Sequence, residues 1–402
     1  MQQWTLFFVS WLATVSAGLS ATLFGVYLPP MVQALYPTAT RQDVAQVGSF
    51  AGAAFLFGWA VGGLLLGGLG DRLGRKVAFV TSTLACSLGM LGTAFVQSLA
   101  SLVLWRIITG AGAGGILLAT AVLASETWAK GNRARVVGIL INAFPLGFVL
   151  TGLFQASIAD FRTAYALGSL SILLVFLILL FVRESEIWQA RKQTTGEFVA
   201  ARSHLFQPQH RKDLAIGVGL YGSMLIGLWA AYTWIPAWVS SLSIPVQAQG
   251  NRSLSAIALG IGAFVGGLIS GAVSNTLGRK RAAAVGYIGV FTTSAILFVT
   301  IHEITPLLFA LAFVLSFFIG FNQGILSAYI PELFPTHVRA TATGISFNVG
   351  RLLTTIAVFF VGVLIQVLGG YDRGIFTFAF AYLIGLMMLI PARETRGNDL
   401  PR

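Results

Sequence analysis

One segment of this chain occurs twice, and the repetition restricts what the chain can fold into. Residues 61–76 match residues 265–280 without a gap, and the identical positions include a Gly-Gly pair and a closing Leu-Gly-Arg-Lys sequence. Each copy ends one apolar run and begins another. A short turn between two membrane helices explains the pattern, because glycine permits a tight turn while Arg and Lys resist translocation. Two copies in register predict a duplicated membrane protein.

The composition supports the same interpretation. Of the 402 residues, 56% are hydrophobic and only 9% are charged, a balance that a soluble surface does not accommodate. The net charge of +12 does not indicate nucleic acid as a partner, because the basic residues lie in short loops between apolar runs. The single cysteine, Cys86, excludes a disulfide framework and is interpreted as a small buried hydrophobe.

The apolar runs predict an all-α polytopic membrane protein with twelve transmembrane helices in two pseudo-symmetric six-helix bundles. We expect an N-terminal bundle over residues 1–183, a cytoplasmic linker over 184–212, and a C-terminal bundle with a short tail over 213–402. The predicted helices are 5–34, 46–68, 78–98, 101–124, 135–158, 163–182, 213–240, 253–275, 282–301, 306–330, 338–368 and 373–391.

The positions of Lys and Arg predict the orientation. With both termini in the cytoplasm, most basic residues fall in inner loops or the tail, and the outer loops hold only Arg41, Arg162, Arg252 and Arg373. The positive-inside rule therefore predicts a multi-pass protein of the cytoplasmic (inner) membrane with both termini inside.

A second repeat supports the two bundles. At one common offset, the residues around the loop between helices four and five match those between helices ten and eleven: Glu126, Arg133 and Gly138 match Glu332, Arg339 and Gly344. This offset and that of the first repeat differ by only two residues, as a gene duplication with small insertions would leave them.

At the level of motifs, the chain resembles the major facilitator superfamily of transporters. Residues 67–76 are similar to its loop motif between helices two and three, and residues 106–115 to its fourth-helix motif. Residues 331–344 and 393–397 resemble the corresponding segments of metabolite:proton symporters, organic-ion carriers and sugar porters. Two departures are Asn275, where the second loop motif has an acid, and residues 143–147, which lack the signature of drug/proton antiporters.

The resemblance implies a cytoplasmic gate of charged residues whose salt bridges form and separate as the transporter changes state. It comprises Asp71, Arg72, Arg75, Glu126, Arg133, Arg279, Glu332 and Arg339. Partly buried ion pairs suit such a switch, because desolvation offsets much of their Coulomb attraction. The alternative is that these charges are solvated and serve only to set the topology.

Arg351 is the most informative single residue. It lies about 20 Å into the predicted eleventh helix, near the membrane midplane, where a lone cation is costly. No acid falls at a comparable depth in the sequence, so the substrate is expected to bring the negative charge, and a guanidinium suits a carboxylate. The alternative is a structural Arg351 bonded to backbone carbonyls and Asn348.

Other polar and aromatic side chains are candidates for lining a central substrate site. They are Tyr27, Asn142, Tyr221, Trp229, Tyr232, Asn322, Gln323 and Asn348, with Gln155 a further possibility. For any one of them, packing is the competing explanation. Trp234 and Trp238 are interpreted as part of an interfacial aromatic belt. Arg106 is close enough to the outer face to snorkel, and its place in the glycine-rich fourth helix favours a structural or conformational role, with ligand contact as the alternative.

Several functional classes lack support. No nucleophile–base pair, metal cluster or phosphate-binding loop appears, so we expect no enzyme activity and no cofactor. No acid lies mid-helix to relay protons, so transport is facilitated or exchange-type, or it is coupled to a proton that travels with the substrate or to another cation. We expect a monomeric transporter of a small organic anion. The alternatives are a carrier of neutral or cationic solutes or a drug exporter, each with Arg351 structural, and a non-transporting receptor or scaffold.

Overall fold

The computed structural model describes residues 2–128, 130–193, 208–335 and 338–396. Twelve of its helices, some of them interrupted, are long and apolar enough to cross a membrane. The first six spans are Gln2–Leu35; Arg41–Leu73; Arg75–Ala94; Leu99–Thr127; Lys130–Ile141 with Phe144–Ser157; and Phe161–Gly168 with Leu173–Phe181. The last six are Pro208–Leu242; Pro245–Leu277; Arg279–Thr300; Pro306–Glu332; Arg339–Phe359 with Val361–Val367; and Tyr371–Leu389. A further short helix, Glu186–Gln193, follows the sixth span.

The expected all-α architecture with twelve spans is confirmed, and no strand occurs in the described ranges. Several helices run past the apolar cores that define them in the sequence. The eighth helix is the clearest case, because it begins at Pro245 and not near residue 253. Arg252, which the sequence places in an outer loop, therefore lies within this helix and is buried. Proline at the first helical position explains the earlier start, since its missing N–H is not needed there.

Local sequence signals explain where other spans begin and break. Thr40 and Asp43 form a reciprocal capping box at the start of the second span, and Ser98 and Ser101 do so at the fourth. The fifth span is interrupted just before Phe144–Ser157, where Pro145 occupies the first turn of the new helix. Proline cannot continue the preceding hydrogen-bond ladder, so the span breaks there.

The described residues form two compact units. The first comprises those within Met1–Thr195 together with Ile235–Gly260, and the second those within Gly196–Trp234 and Ile261–Arg402. The first unit therefore contains the last part of the seventh span and the first part of the eighth as well as spans one to six. The second contains the remainder of spans seven and eight and spans nine to twelve.

Within the first unit, the second and fourth spans approach each other at glycines. A Cβ placed on Gly58 would lie 2.1 Å from the carbonyl oxygen of Ile107, and one on Gly110 would lie 2.0 Å from that of Phe55. Such distances leave no room for a side chain. In a lipid environment helices gain little by burying apolar surface, so close backbone packing of this kind contributes much of their association.

The second unit repeats this crossing between spans eight and ten. A Cβ on Gly262 would lie 2.3 Å from the carbonyl oxygen of Phe313, and one on Gly320 would lie 2.1 Å from that of Ala263. Gly262 is the repeat partner of Gly58, so the internal duplication preserves the packing as well as the loop sequence.

Two tryptophans occupy a different environment from the one expected. Trp234 is fully buried, with its ring centroid 6.0 Å from that of Tyr371, and Trp238 is only 3% exposed. An interfacial belt requires rings that face lipid and headgroups, so the belt interpretation of Trp234 and Trp238 is wrong. Both tryptophans are packing residues.

We expect Gly110→Ala to destabilise the protein, because its Cβ would overlap the carbonyl of Phe55. Overpacking of this kind costs about 1–3 kcal/mol. Gly68→Ala is the matched control, since a Cβ at Gly68 meets no atom within 4 Å. Thermal unfolding of the purified protein in detergent should show a lower melting temperature for Gly110→Ala only. Equal melting temperatures for the two variants would contradict the packing argument.

Candidate functional site

The first loop cluster, Asp71, Arg75, Glu126 and Glu184, lies where the second and third spans meet. The Arg75 guanidinium contacts Asp71 and lies 3.4 Å from the Glu126 carboxylate. Glu184 accepts hydrogen bonds from the backbone N–H groups of Arg75, at 2.8 Å, and Lys76, at 3.2 Å. The cluster therefore joins the ends of spans two, three and four to the segment that follows span six.

The second loop cluster, Asn275, Arg279, Glu332 and Glu394, has the same plan in the second unit. Arg279 donates through Nε and Nη2 to the two oxygens of Glu332, at 3.1 and 3.2 Å. It also donates to Asn275 Oδ1 at 2.8 Å, so the amide takes the place of Asp71 but brings no charge. Glu394 accepts from the backbone N–H groups of Arg279, at 2.9 Å, and Lys280, at 3.1 Å.

A glycine with positive φ makes each carboxylate cap possible. Gly74 has φ 118° and Gly278 has φ 92°, a region that L side chains rarely adopt. A Cβ at Gly74 would lie 2.1 Å from Glu184 Oε2, and one at Gly278 would lie 2.6 Å from Glu394 Oε2. The turn thus brings free N–H groups of a helix start to an anion, the arrangement that a helix N-terminus favours.

Glu184 and Glu394 were not among the predicted gate residues, although a signal for them exists. Arg-Glu-Ser at 183–185 and Arg-Glu-Thr at 393–395 follow the sixth and twelfth spans, and they form a third internal repeat. In the sequence, residues 393–397 stand out only through their resemblance to a family motif. Their partners are more than 100 residues away, a separation that no local pattern reveals.

The remaining predicted gate residues lie in diverse surroundings. Arg72 is exposed. Arg339 donates from Nε to the Phe334 carbonyl at 3.1 Å, while its buried Nη2 has no hydrogen-bond partner among the described residues. The side chain of Arg133 lies outside the described ones. The gate remains a prediction.

Arg351 lies in the helix Arg339–Phe359, half-buried. Its Nη1 donates to Asn348 Oδ1 at 3.2 Å, and Asn348 Nδ2 donates to the Gly344 carbonyl at 2.9 Å. One turn of helix therefore orients the guanidinium through an amide that is itself anchored.

The seventh span packs closely against the helix that carries Arg351. Tyr221 stacks on Phe347, with ring centroids 4.2 Å apart. A Cβ on Gly222 would lie 3.3 Å from the Cα of Gly350. Tyr221 and Asn348 are thus brought to the same region of the second unit as Arg351.

Most of the other predicted site residues of the second unit are buried. Tyr232 shares a 2.7 Å hydrogen bond with Ser316, and Trp229 is 5% exposed. Asn322 is fully buried, and neither atom of its amide has a hydrogen-bond partner among the described residues. Gln323 is half-buried.

In the first unit, Tyr27 is fully buried and its hydroxyl donates to the Ile158 carbonyl at 2.7 Å. Asn142 is half-buried in the break of the fifth span. A role in substrate binding remains a prediction for Tyr27 and for Asn142.

Arg106 is enclosed and does not snorkel to the surface. The side chain is 2% exposed. Its guanidinium carbon lies 4.1 Å from the ring centroid of Phe55 and 4.6 Å from that of Phe24. Its Nη1 donates a hydrogen bond to the Ser20 carbonyl at 3.2 Å. The snorkelling interpretation is wrong because aromatic faces and carbonyls of neighbouring helices surround the cation. A position joining three helices is compatible with the predicted conformational role.

No group of three or more His, Cys, Asp or Glu side chains that could hold a metal ion occurs in the described part of the chain.

Comparison with known proteins gives similarities along most of the chain. The sequence profile of the Major Facilitator Superfamily matches residues 10–358. A probable 4-methylmuconolactone transporter of Cupriavidus pinatubonensis is 27% identical over 371 residues, covering 89% of this chain and 83% of that protein. The cis,cis-muconate transport protein of Acinetobacter baylyi is 26% identical over 355 residues, covering 85% of this chain and 83% of that protein. The crystal structure of a D-xylose-proton symporter has a TM-score of 0.80 at 18% identity and covers 100% of both chains.

The cap formed by Glu394 predicts a pH dependence of stability. Burial raises the pKa of this carboxyl, but hydrogen bonds from the backbone N–H groups of Arg396, Arg279, Lys280 and Thr395 outweigh it and hold the pKa below the usual value. A carboxyl with a lowered folded-state pKa stabilises the fold at neutral pH, and this contribution is lost as the pH falls through that pKa.

We therefore expect Glu394→Gln to have a lower melting temperature than wild type at pH 7. The difference should shrink as the pH falls from about 5 to about 3, because the wild-type carboxyl then becomes neutral as well. Glu303→Gln, at an exposed loop position, is the control. A difference between wild type and Glu394→Gln that stays constant over this range would rule out the charged cap.

Proposed function

Because the chain belongs to the major facilitator superfamily, we propose that it is a secondary transporter that moves a small organic anion, a carboxylate, across the cytoplasmic membrane by alternating access. The family predicted from the motifs is confirmed by the profile match, and the fold by the similarity to the symporter structure. The chain is thus a transporter and not an enzyme.

The main support for the proposal is the class of compound that similar transporters are named for. Cis,cis-muconate is a dicarboxylate. The transport protein named for it is similar to 85% of the length of this chain. This agrees with the anion expected from Arg351 in the sequence. In a carrier of neutral or cationic solutes, Arg351 would serve structure alone, although a cation within a membrane span is costly.

We assign Arg351 as the anchor for the substrate carboxylate. Arg351 donates to Asn348, and a guanidinium carries five N–H donors in a planar fork whose geometry matches a carboxylate. Asn348 holds the guanidinium in one orientation, which lowers the entropy lost when an anion binds. Tyr221, stacked on Phe347 beside the same helix, offers an aromatic surface for the apolar part of the substrate.

The proposed transport does not use an Asp or Glu side chain in the middle of a span to relay protons. The described Asp and Glu residues lie in loops or within about two turns of a helix end. Transport then runs as facilitated diffusion or exchange, or as symport in which the proton travels on the carboxyl group of the substrate.

We propose that the two loop clusters are the cytoplasmic gate and that both termini are cytoplasmic. The positions of Lys and Arg support this orientation. The ion pairs Arg75–Glu126 and Arg279–Glu332 are partly buried, so they can break and form without a large change in free energy. We further propose that the two six-helix bundles move relative to each other, with residues 184–212 as the linker, and that the transporter works as a monomer.

The test is uptake of radiolabelled cis,cis-muconate into proteoliposomes, with benzoate, benzamide and D-xylose as competitors. We expect benzoate to compete and the neutral, nearly isosteric benzamide not to. Arg351→Gln should reduce uptake at least about tenfold, because loss of one partner in a buried charge pair costs about 2–5 kcal/mol. Asn348→Ala should give a smaller reduction, since the guanidinium keeps its charge and loses only its orientation.

Arg373→Gln is the control, because it removes an exposed arginine from a helix end. The proposal would be contradicted if benzamide or D-xylose competed as well as benzoate does, both in wild type and in Arg351→Gln. That result would make the protein a carrier of neutral solutes in which Arg351 is structural.

A further inference from the structure

A second set of polar side chains lies at the opposite end of the first unit from the first loop cluster. We name it the outer cluster; it consists of Tyr27, Gln155, Gln249, Arg252 and Ser253 and joins the first, fifth and eighth spans. Arg252 was expected in an outer loop, and the function described above uses neither Arg252 nor Gln155.

Arg252 is a buried cation with incomplete hydrogen bonding. It is 9% exposed, its Nη1 donates to Ser240 Oγ at 2.8 Å, and its Nε has no hydrogen-bond partner among the described residues. Arg252 takes part in none of the ion pairs found in the described ranges. A buried charge is costly unless it is paired, so an anion bound next to Arg252 would stabilise the buried guanidinium.

Gln155 offers the second set of unused groups. It is fully buried, and within the described residues neither the nitrogen nor the oxygen of its side-chain amide has a hydrogen-bond partner. A buried amide with no partner is rare in proteins and disfavours a purely structural role for Gln155. Its backbone carbonyl, in contrast, accepts a 2.8 Å hydrogen bond from Gln249 Nε2.

Two hydrogen bonds bring the fifth and eighth spans together at this point. Besides the bond from Gln249 to Gln155, Ser253 Oγ donates to the Gly152 carbonyl at 2.7 Å. Gln249 and Arg252 are three residues apart and therefore neighbours on the helix surface. Gly152 and Gln155 stand in the same relation on the partner helix, so Arg252 and Gln155 are both residues next to this helix contact.

Among the residues that the structure describes, no carboxylate forms an ion pair with Arg252. Tyr27 lies within electrostatic range of Arg252 and of Asp160. The Asp160 carboxylate caps the sixth span, where it accepts from the Thr163 N–H at 2.9 Å and the Thr163 hydroxyl at 2.7 Å. Asp160 is thus occupied as a helix cap.

We propose that Arg252 and Gln155 form a second carboxylate-binding site, at the outer end of the transporter and separate from Arg351. The Nε–H of Arg252 and the side-chain amide of Gln155 donate to the carboxylate, and a guanidinium is well suited to this ligand. Release of the hydrogen bonds made by Gln249 and Ser253 opens the helix contact and admits the anion from outside. This inference rests on the proposed transport of a carboxylate and on the proposed orientation.

The test uses cysteine labelling, because the chain has a single cysteine, Cys86, which can be replaced by serine. In that background Ser253→Cys is a nearly isosteric reporter beside Arg252. Right-side-out vesicles are treated with membrane-impermeant methanethiosulfonates, one anionic and one cationic. Gly250→Cys is the matched control for intrinsic reagent rates, because residue 250 is exposed and a Cβ there meets no atom within 4 Å.

We expect the cysteine at position 253 to react about tenfold faster with the anionic than with the cationic reagent, relative to position 250, as charge steering allows. Arg252→Gln should abolish this preference, Arg252→Lys should retain it, and Arg351→Gln should leave it unchanged. Benzoate should slow the reaction and benzamide should not. Gln155→Leu should weaken protection by benzoate while leaving the preference for the anionic reagent.

Three results would overturn the outer site: no reaction at position 253, reaction only in inside-out vesicles, or a reagent preference that survives Arg252→Gln. The preference for reagent charge does not depend on any transported substrate. Its absence therefore counts against the outer site alone, whereas absence of carboxylate uptake counts against the proposed function.

Discussion

The close approach of helix backbones at glycine is the interaction on which this structure most depends. A membrane protein cannot rely on apolar burial to bring its helices together, since lipid offers the same apolar surroundings. Gly58 and Gly110 let the second and fourth spans touch at backbone distance, and Gly262 and Gly320 do the same for the eighth and tenth. Because the helices cross this closely, charged groups at the ends of the spans lie near enough to one another to pair.

The two loop clusters show how one structural plan tolerates different charges. In each, an arginine bridges the ends of neighbouring spans, and a carboxylate from a distant segment caps the next helix. Asp71 in the first unit and Asn275 in the second both contact that arginine. An amide preserves the hydrogen bond and removes one negative charge, so Arg279 depends more heavily on Glu332. The two units therefore share a geometry, but they differ in the electrostatic energy needed to separate their charges.

Three arginines within the spans illustrate how surroundings decide the use of a buried cation. Arg106 is enclosed by the rings of Phe24 and Phe55 and by carbonyls, an arrangement that satisfies the charge inside the protein. Arg351 is half-buried and oriented by an amide. Arg252 is buried and retains an unused donor. The same residue type thus serves packing in the first case, and in the other two we propose that it binds an anion.

The sequence by itself determined the helical class, the number of spans, the duplication and the family, because each depends on apolar length and on repeated motifs along the chain. It also placed Arg351 inside a membrane-spanning helix, since depth within a helix follows from residue number. The tertiary structure decided which charges meet. Glu184 and Glu394 reach helix starts more than 100 residues away, and the early start of the eighth helix at Pro245 buries Arg252. Such contacts depend on how helices cross, and helix crossing is set by packing in three dimensions that hydropathy along the chain does not record.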